Sequence, residues 1–280
     1  MPDARAGAAL AAWLAERFPL HVSVPVAVVL CGAALPRGAW IDLPRIAATG
    51  WLLLFAARAW DDLADLRRDR VRRPERVLPS GRLSERVLRG TALGAGALGI
   101  AGSFALSVPA GACVSGCAAA GFGWHAARPR WSRLAGPALV NLAFPALVLL
   151  GPLGLGTAGG EAVLLALFAW TAAVAHDLGH GIEEEAGMPD ELRDPLTPEV
   201  RARWGLAAFV GSLATAVALE VTRPDPLFAA FVALAGAVVA LRFVPLLRKP
   251  TEWNARRLRV AGFVYLVAPL AGHMAWRLVA

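Results

Sequence analysis

Residues 43–64 read LPRIAATGWLLLFAARAWDDLA, and residues 65–84 continue DLRRDRVRRPERVLPSGRLS. The first stretch is long and apolar enough to cross about 30 Å of hydrocarbon as a helix of roughly 20 residues. A helix suits that role because it satisfies its own backbone hydrogen bonds where no water is available. The span ends on carboxylates and passes into an arginine-rich loop. Further stretches of the same apolar character lie at about 19–36, 86–108, 110–127, 136–155, 160–181, 201–221, 226–247 and 258–279. Together with 43–64 they predict an all-α integral membrane bundle of nine transmembrane helices. It forms one domain over residues 1–280, with cap elements at about 65–85 and 180–200.

Composition agrees. Of 280 residues, 57% are apolar and 18% charged, far from globular averages, and the mean hydropathy of +0.55 argues against disorder. Cys31, Cys113 and Cys117 all lie in apolar stretches, which suits packing residues rather than a disulfide framework, and no His/Cys cluster has zinc-finger spacing. The formal charge is +7, and every basic residue except Lys249 is arginine. A basic nucleic-acid face would belong to a folded soluble module, whereas these arginines fall between apolar runs and read as topology signals. No nucleic-acid partner is expected; membrane lipid is.

The arginines are distributed unevenly. Between the second and third spans lie Arg67, Arg68, Arg70, Arg72, Arg73, Arg76, Arg82, Arg86 and Arg89, and further basic residues cluster near 128–133, 193–203 and 248–259. The alternate loops near 109 and 156–159 have none. Basic residues accumulate on the cytoplasmic side, so the N-terminus is expected to be cytoplasmic. Arg5 and Arg17 precede a first span that lies too deep, and lacks the small-residue site, for a removable signal peptide.

At the end of the second span, Asp62, Asp65 and Asp69 are spaced to stack on one helix face, with Asp61 joining through Asp65. At the end of the sixth, the chain reads HDLGHGIEEE over 176–185. Shifting the first set by 115 places His176 on Asp61, Asp177 on Asp62, His180 on Asp65 and Glu184 on Asp69. An even number of spans separates the two segments, so both fall at one membrane face. Hard carboxylate oxygens in this pattern suit Mg2+, usually bound by one or two carboxylates plus water and substrate phosphate. Asp61, Asp62, Asp65, Asp69, Asp177 and Glu184 are the candidate ligands, and these with His180 the candidate catalytic residues. Arg68, Arg72, Arg73, Arg76, Arg128 and Arg130 are candidates for a diphosphate, which guanidinium groups bind in bidentate fashion. Arg58, one turn before Asp62 and inside a span, is expected to pair with Asp62 or Asp61. Glu183, Glu185, Asp190, Glu191 and Asp194 read as solvated charges.

The run DDLADLRRDRVRRPERVLPSGRLS closely resembles the first signature of the UbiA prenyltransferase superfamily, an NDxxDxxxD segment followed by a basic, RP- and SGR-containing loop. The segment HDLGHGIEEEAG resembles that family's second aspartate-rich motif, and the layout of spans agrees over nearly the whole chain. The resemblance implies a central cavity opening to the cytoplasmic side, where magnesium holds an isoprenyl diphosphate between the motifs. Ionisation there yields an allylic cation. The chain departs from the family where Asp61 replaces the usual Asn, and where His176, His180 and Glu184 stand in place of Asn and Asp. Imidazole is a poorer magnesium ligand than carboxylate, so His180 is expected to donate to diphosphate or to act as a base. Candidate cavity residues are Trp60, Asn141 and Trp170, beside the aromatic groups Trp51, Phe55, Trp124, Phe144 and Phe168. His125 and His273 read as structural.

Prenyl transfer to an aromatic or other lipophilic acceptor is the leading expectation. Its rival is a terpene cyclase of the same superfamily, favoured by the Asp61-Asp62 pair and the altered second motif. A third reading is a scaffold or transporter that keeps the bundle without chemistry. The arginine- and alanine-rich composition hints at a high-GC bacterial genome and thus a plasma membrane.

Overall fold

Proline, glycine and charge break the apolar sequence into helices. The computed structural model describes residues 2–127, 135–185, 188, 189, 191 and 196–279, with the side chains of 2–4 and 125–127 left out. Among the described residues the elements are α1 (Pro2–Arg17), α2 (Leu20–Gly32), α3 (Leu43–Ala64), α4 (Leu66–Arg72), α5 (Glu85–Leu106), α6 (Val108–Ala127), α7 (Ala135–Val140), α8 (Ala143–Gly154), α9 (Gly160–Glu185), α10 (Pro198–Thr222), α11 (Pro226–Arg248) and α12 (Glu252–Val279). A 3-10 turn, Trp40–Asp42, leads into α3. The caps follow from the sequence: Ser84 accepts from the Val87 N–H, Thr197 from Val200, and Asp225 from both Leu227 and Phe228, satisfying orphan donors at the starts of α5, α10 and α11.

Each apolar stretch read from the sequence is helical. Among the described residues seven helical segments are long and apolar enough to cross a membrane, or eight if α1 and α2, bent by 63°, form one broken span. The protein is thus an integral membrane protein with multiple membrane-spanning helices. The stretch expected as the fourth span is α6, which is not among those seven. The fifth is two helices, because Pro145 has no N–H to bond the Asn141 carbonyl one turn earlier and its ring would clash with it. The chain turns at Asn141 and Leu142 before α8 begins.

The helices close into a ring, α2 against α3, then α5, α6, α8, α9 and α12, with α12 returning to α2, while α10 and α11 pack on α9 and α12. The larger apolar core lies among α2, α6 and α8–α12. A smaller one joins α1, α3, α5 and the segment from Val77 to Leu83. At the end of the bundle away from the acidic motifs, buried His273 of α12 lies 2.6 Å from Asp225 and 3.0 Å from Glu161, which also takes Arg277 and Arg223, so α9, α11 and α12 are tied there by charge. The structural reading of His273 fits this; the side chain of His125 lies outside the described residues.

Candidate active site

The α3 helix ends where the first acidic run begins. The backbone kinks at Asp65, yet its N–H still bonds the Asp61 carbonyl at 2.9 Å and its own carbonyl takes the Asp69 N–H at 2.9 Å. The helical register therefore runs on into α4, and Asp65 and Asp69 stay on one face as their spacing predicts. On the second segment α9 continues unbroken through Glu185.

The two segments meet. An open cleft of about 290 Å³, its mouth included, is lined by Asp65, Arg68, Asp69, Arg72 and Arg73 from the first and by Glu184 and Met188 from the second. Three carboxylates and three guanidiniums thus face one space. Burial, with the nearby charges of Asp61 and Glu184, pushes the Asp65 carboxyl up to about 8. Burial, with Asp62, pushes Asp69 up to about 6. Such crowding disfavours the anions until a cation enters. Among the described residues no three His, Cys, Asp or Glu side chains come close enough to hold a metal by themselves. The donor set is nonetheless hard oxygen from two chain segments, and a divalent ion that takes one or two carboxylates would fill its remaining positions from water and a phosphate. The residues fit Mg2+ on those terms.

The remaining candidates fall around this cleft. Asp61 pairs with Arg58 at 3.0 Å, and Arg58 also reaches Asp62 at 2.9 Å, so the intrahelical pairing expected of Arg58 is present with both. Asp62, 4% exposed, lies behind the cleft rather than in it. Arg76 binds Asp69 at 2.9 Å and does not line the cleft. Arg68 bonds Glu185, and Arg72 the Glu183 carbonyl, so α4 is latched to the end of α9. Asp177 accepts from Asn141 at 3.0 Å across the α7–α8 break, and the same amide bonds the Pro137 carbonyl at 2.7 Å. His180 sits between Glu183 at 3.4 Å and Glu184 at 3.3 Å, with the His176 ring stacked 6.0 Å away. The Nδ1 atom of His176 is buried with no hydrogen-bond partner among the described residues. Arg128 and Arg130 lie outside the described residues.

A second, apolar pocket adjoins the first motif. It is open-sided and, with its mouth, spans about 690 Å³ between α3, α5, α6 and the α7–α8 segment, and its lining includes Leu53, Trp60, Gly96, Cys117 and Phe122. Trp60, next in sequence to Asp61, meets Phe122 edge to face at 5.1 Å. Trp170 is not part of this lining; it donates to the Ala138 carbonyl at 2.8 Å and so secures α7 against α9. Of the other aromatic candidates, Trp51 and Phe55 pack with Phe18, and Phe168 lies in the core against Phe228 and Tyr265.

Two expectations need correction. Glu183 and Glu185, read as solvated charges, are 2% and 8% exposed. Glu183 takes Arg256 at 3.4 Å and Arg259 at 3.5 Å from α12, and Glu185 takes Arg68 and, at 3.7 Å, Arg201 of α10. Three consecutive glutamates on a helix point in three directions, and where α10 and α12 pack against the same turn two of them must face protein. Gly181 leaves room for this: a Cβ there would collide with the Arg201 guanidinium. The residues that sequence reasoning missed are Trp13 and Arg17 of α1, whose side chains both reach Asp62.

The model of the UbiA prenyltransferase family matches residues 22–267. A digeranylgeranylglyceryl phosphate synthase from Korarchaeum cryptofilum (strain OPF8) is 29% identical over 172 residues, which is 59% of this chain and 59% of that relative. Two solved structures are similar throughout. One, from work on digeranylgeranylglyceryl phosphate synthase in membranes, superposes with a TM-score of 0.65 at 13% identity, covering 95% of this chain and 99% of its own. The other, an apo UbiA homologue from Aeropyrum pernix K1, also gives 0.65, at 17% identity, with 92% and 97% covered. At those identities the likeness is one of fold.

Proposed function

Since the chain belongs to the UbiA prenyltransferase family, we propose that it ionises an isoprenyl diphosphate in the acidic cleft and transfers the prenyl group to a lipophilic acceptor within the membrane. The observation that carries this reading is the convergence of Asp65 and Asp69 with Glu184, from separate parts of the chain, beside Arg68, Arg72 and Arg73. Bound there by these carboxylates, Mg2+ would supply Lewis-acid neutralisation of the departing diphosphate. The arginines contribute forked hydrogen bonds to phosphate oxygens. To do so Arg68 and Arg72 exchange their present partners, Glu185 and the Glu183 carbonyl, for phosphate.

The apolar pocket supports the rest of the reaction. Its apolar lining suits a prenyl chain, and Trp60, part of that lining and next in sequence to Asp61, can offer its π face to positive charge as the carbon–oxygen bond breaks. The electron pair leaves with the diphosphate oxygen, the acceptor forms the new bond to the allylic carbon, and the acceptor then loses its proton. The apolar lining of the pocket would shield the cation from hydrolysis. His180 lies outside the cleft lining, between Glu183 and Glu184, and would donate to the diphosphate by leaving one of these partners. The uneven arginine distribution supports a cleft that faces the cytoplasm, and the arginine- and alanine-rich composition supports a bacterial plasma membrane.

The test is turnover by the purified full chain in lipid nanodiscs with Mg2+ and geranyl, farnesyl or geranylgeranyl diphosphate. Aromatic acceptors are to be offered alongside a glyceryl phosphate lipid, the class that the Korarchaeum relative's name points to. Magnesium-dependent release of pyrophosphate with a prenylated acceptor is expected. A cyclised hydrocarbon or alcohol formed without acceptor would replace this reading with a terpene cyclase, and inertness toward every diphosphate would sink both.

A further inference from the structure

Asp62 is held by side chains from two helices, α1 and α3. A carboxylate offers about four lone-pair directions; here three hydrogen bonds take three of them, and the Arg58 guanidinium stands in ion-pair contact beside them. Arg17 Nη2 lies 2.7 Å and Arg58 Nη2 2.9 Å from Oδ1; Arg17 Nε lies 2.9 Å and Trp13 Nε1 3.0 Å from Oδ2. Trp13 is fully buried, edge-on to Phe55 at 5.6 Å. The same turn of α1 carries Glu16, which accepts the Val77 N–H at 3.0 Å and lies 3.8 Å from Arg76. The first helix therefore grips both the last turn of α3 and the arginine-bearing segment after α4.

We propose that Asp62 serves as the joint on which α1 docks instead of ligating metal, and that Arg17 and Trp13 are positioning residues acting through it. Pinning Asp62 fixes the rotation of the final α3 turn, and Asp65, three residues on, is set by that rotation. The inference rests on the cleft reading above for its catalytic consequence, while the joint itself is a matter of contacts. A forked Arg–carboxylate pair is the strongest directional link available for the purpose.

The experiment compares wild type, R17Q, R17K, W13F, D62N, the R17Q/D62N double variant and D65N, each as full chain in nanodiscs. It reads Mn2+ binding in the presence of inorganic pyrophosphate, Tm, and turnover of a prenyl diphosphate. If Asp62 is a joint, R17Q and D62N weaken Mn2+–pyrophosphate binding by a similar factor of about three to ten, the double variant is no worse than either, and D65N costs far more. R17K, which cannot fork, recovers part of the loss, and W13F shows a smaller effect of the same kind. Should R17Q not fold, W13F still carries the comparison. The proposal is overturned if D62N abolishes Mn2+ binding as D65N does while R17Q leaves it intact, for then Asp62 is a ligand. It is also overturned if the R17Q and D62N effects multiply, or if Tm falls while binding and turnover of the folded protein stay unchanged. Absence of turnover in wild type would remove the proposed function alone, because the Mn2+–pyrophosphate and Tm cycles still read the joint.

Discussion

Asp65 and Asp69 sit where burial and neighbouring carboxylates resist ionisation, at about 8 and about 6. For an acid whose carboxyl is raised on folding, the folded state holds its proton where the unfolded chain has lost it, so this group's contribution to stability falls as pH rises from the ordinary carboxylate range toward about 8. Replacing Asp65 by asparagine removes that dependence. We expect the Tm of D65N to exceed that of wild type by a margin that widens between about pH 5 and about pH 8 in metal-free buffer, and that shrinks when millimolar Mg2+ is added to the wild type. A margin independent of pH would mean that Asp65 ionises normally and the cleft is not crowded. Residue by residue, spacing revealed what spacing can reveal. Arg58 with Asp61 and Asp62, and the common face of Asp65 and Asp69, are local relations on a helix. Arg17 with Asp62 was hidden, because 45 residues of separation leave no periodic trace.

The broken α7–α8 span shows how an element positions a functional group. Pro145 stops the helical ladder at Asn141, and the irregular turn is tolerated at membrane depth because it is buried, with the Asn141 amide bonding both the Pro137 carbonyl and Asp177. The sequence marked Asn141 as a polar residue in an apolar run, and the break supplies its reason. Truncation in N141A leaves a half-buried carboxylate oxygen of Asp177 without that donor, which costs about 1 kcal/mol. A fall in Tm of several degrees, with most of it recovered when D177N is added, is the expected result; an unchanged Tm would show that water replaces the amide freely. The end of α9 was less legible. A run of glutamates beside a polar segment has the composition of a solvated helix terminus, and only the approach of α4, α10 and α12 makes Glu183 and Glu185 interior groups. Removing the Glu185 charge takes a carboxylate from half-buried Arg68 and buried Arg201, so E185Q is expected to loosen the α4 latch and increase proteolysis between residues 66 and 84 in intact nanodiscs. Unaltered cleavage would assign the latch to backbone contacts alone.

At the scale of the molecule, hydropathy alone indicated the membrane class and the helical stretches, because the bilayer leaves a chain few ways to satisfy its backbone. It could not indicate how the spans close into a ring, since lipid tails and neighbouring helices are equally apolar partners. The pocket beside Trp60 belongs to that hidden part: α3, α5, α6 and α8 each contribute small residues to it, and its depth is a property of their packing rather than of any one segment. Packing therefore sets which prenyl chain fits. Gly96 faces the pocket with only the Ala56 methyl near, 3.5 Å from where a Cβ would stand. Leucine there adds four carbons, roughly the bulk of one prenyl unit, in space that is empty rather than packed, so it fills the cavity without the strain that overpacking brings. For G96L we expect kcat/KM with geranylgeranyl diphosphate to fall at least about ten-fold relative to geranyl diphosphate, a difference of about 1.4 kcal/mol in transition-state binding, with Mn2+–pyrophosphate binding retained. Chain-length preference that does not move would place the prenyl tail elsewhere in the ring, and loss of metal binding as well would show that the α3–α5 contact, not the cavity, had been altered.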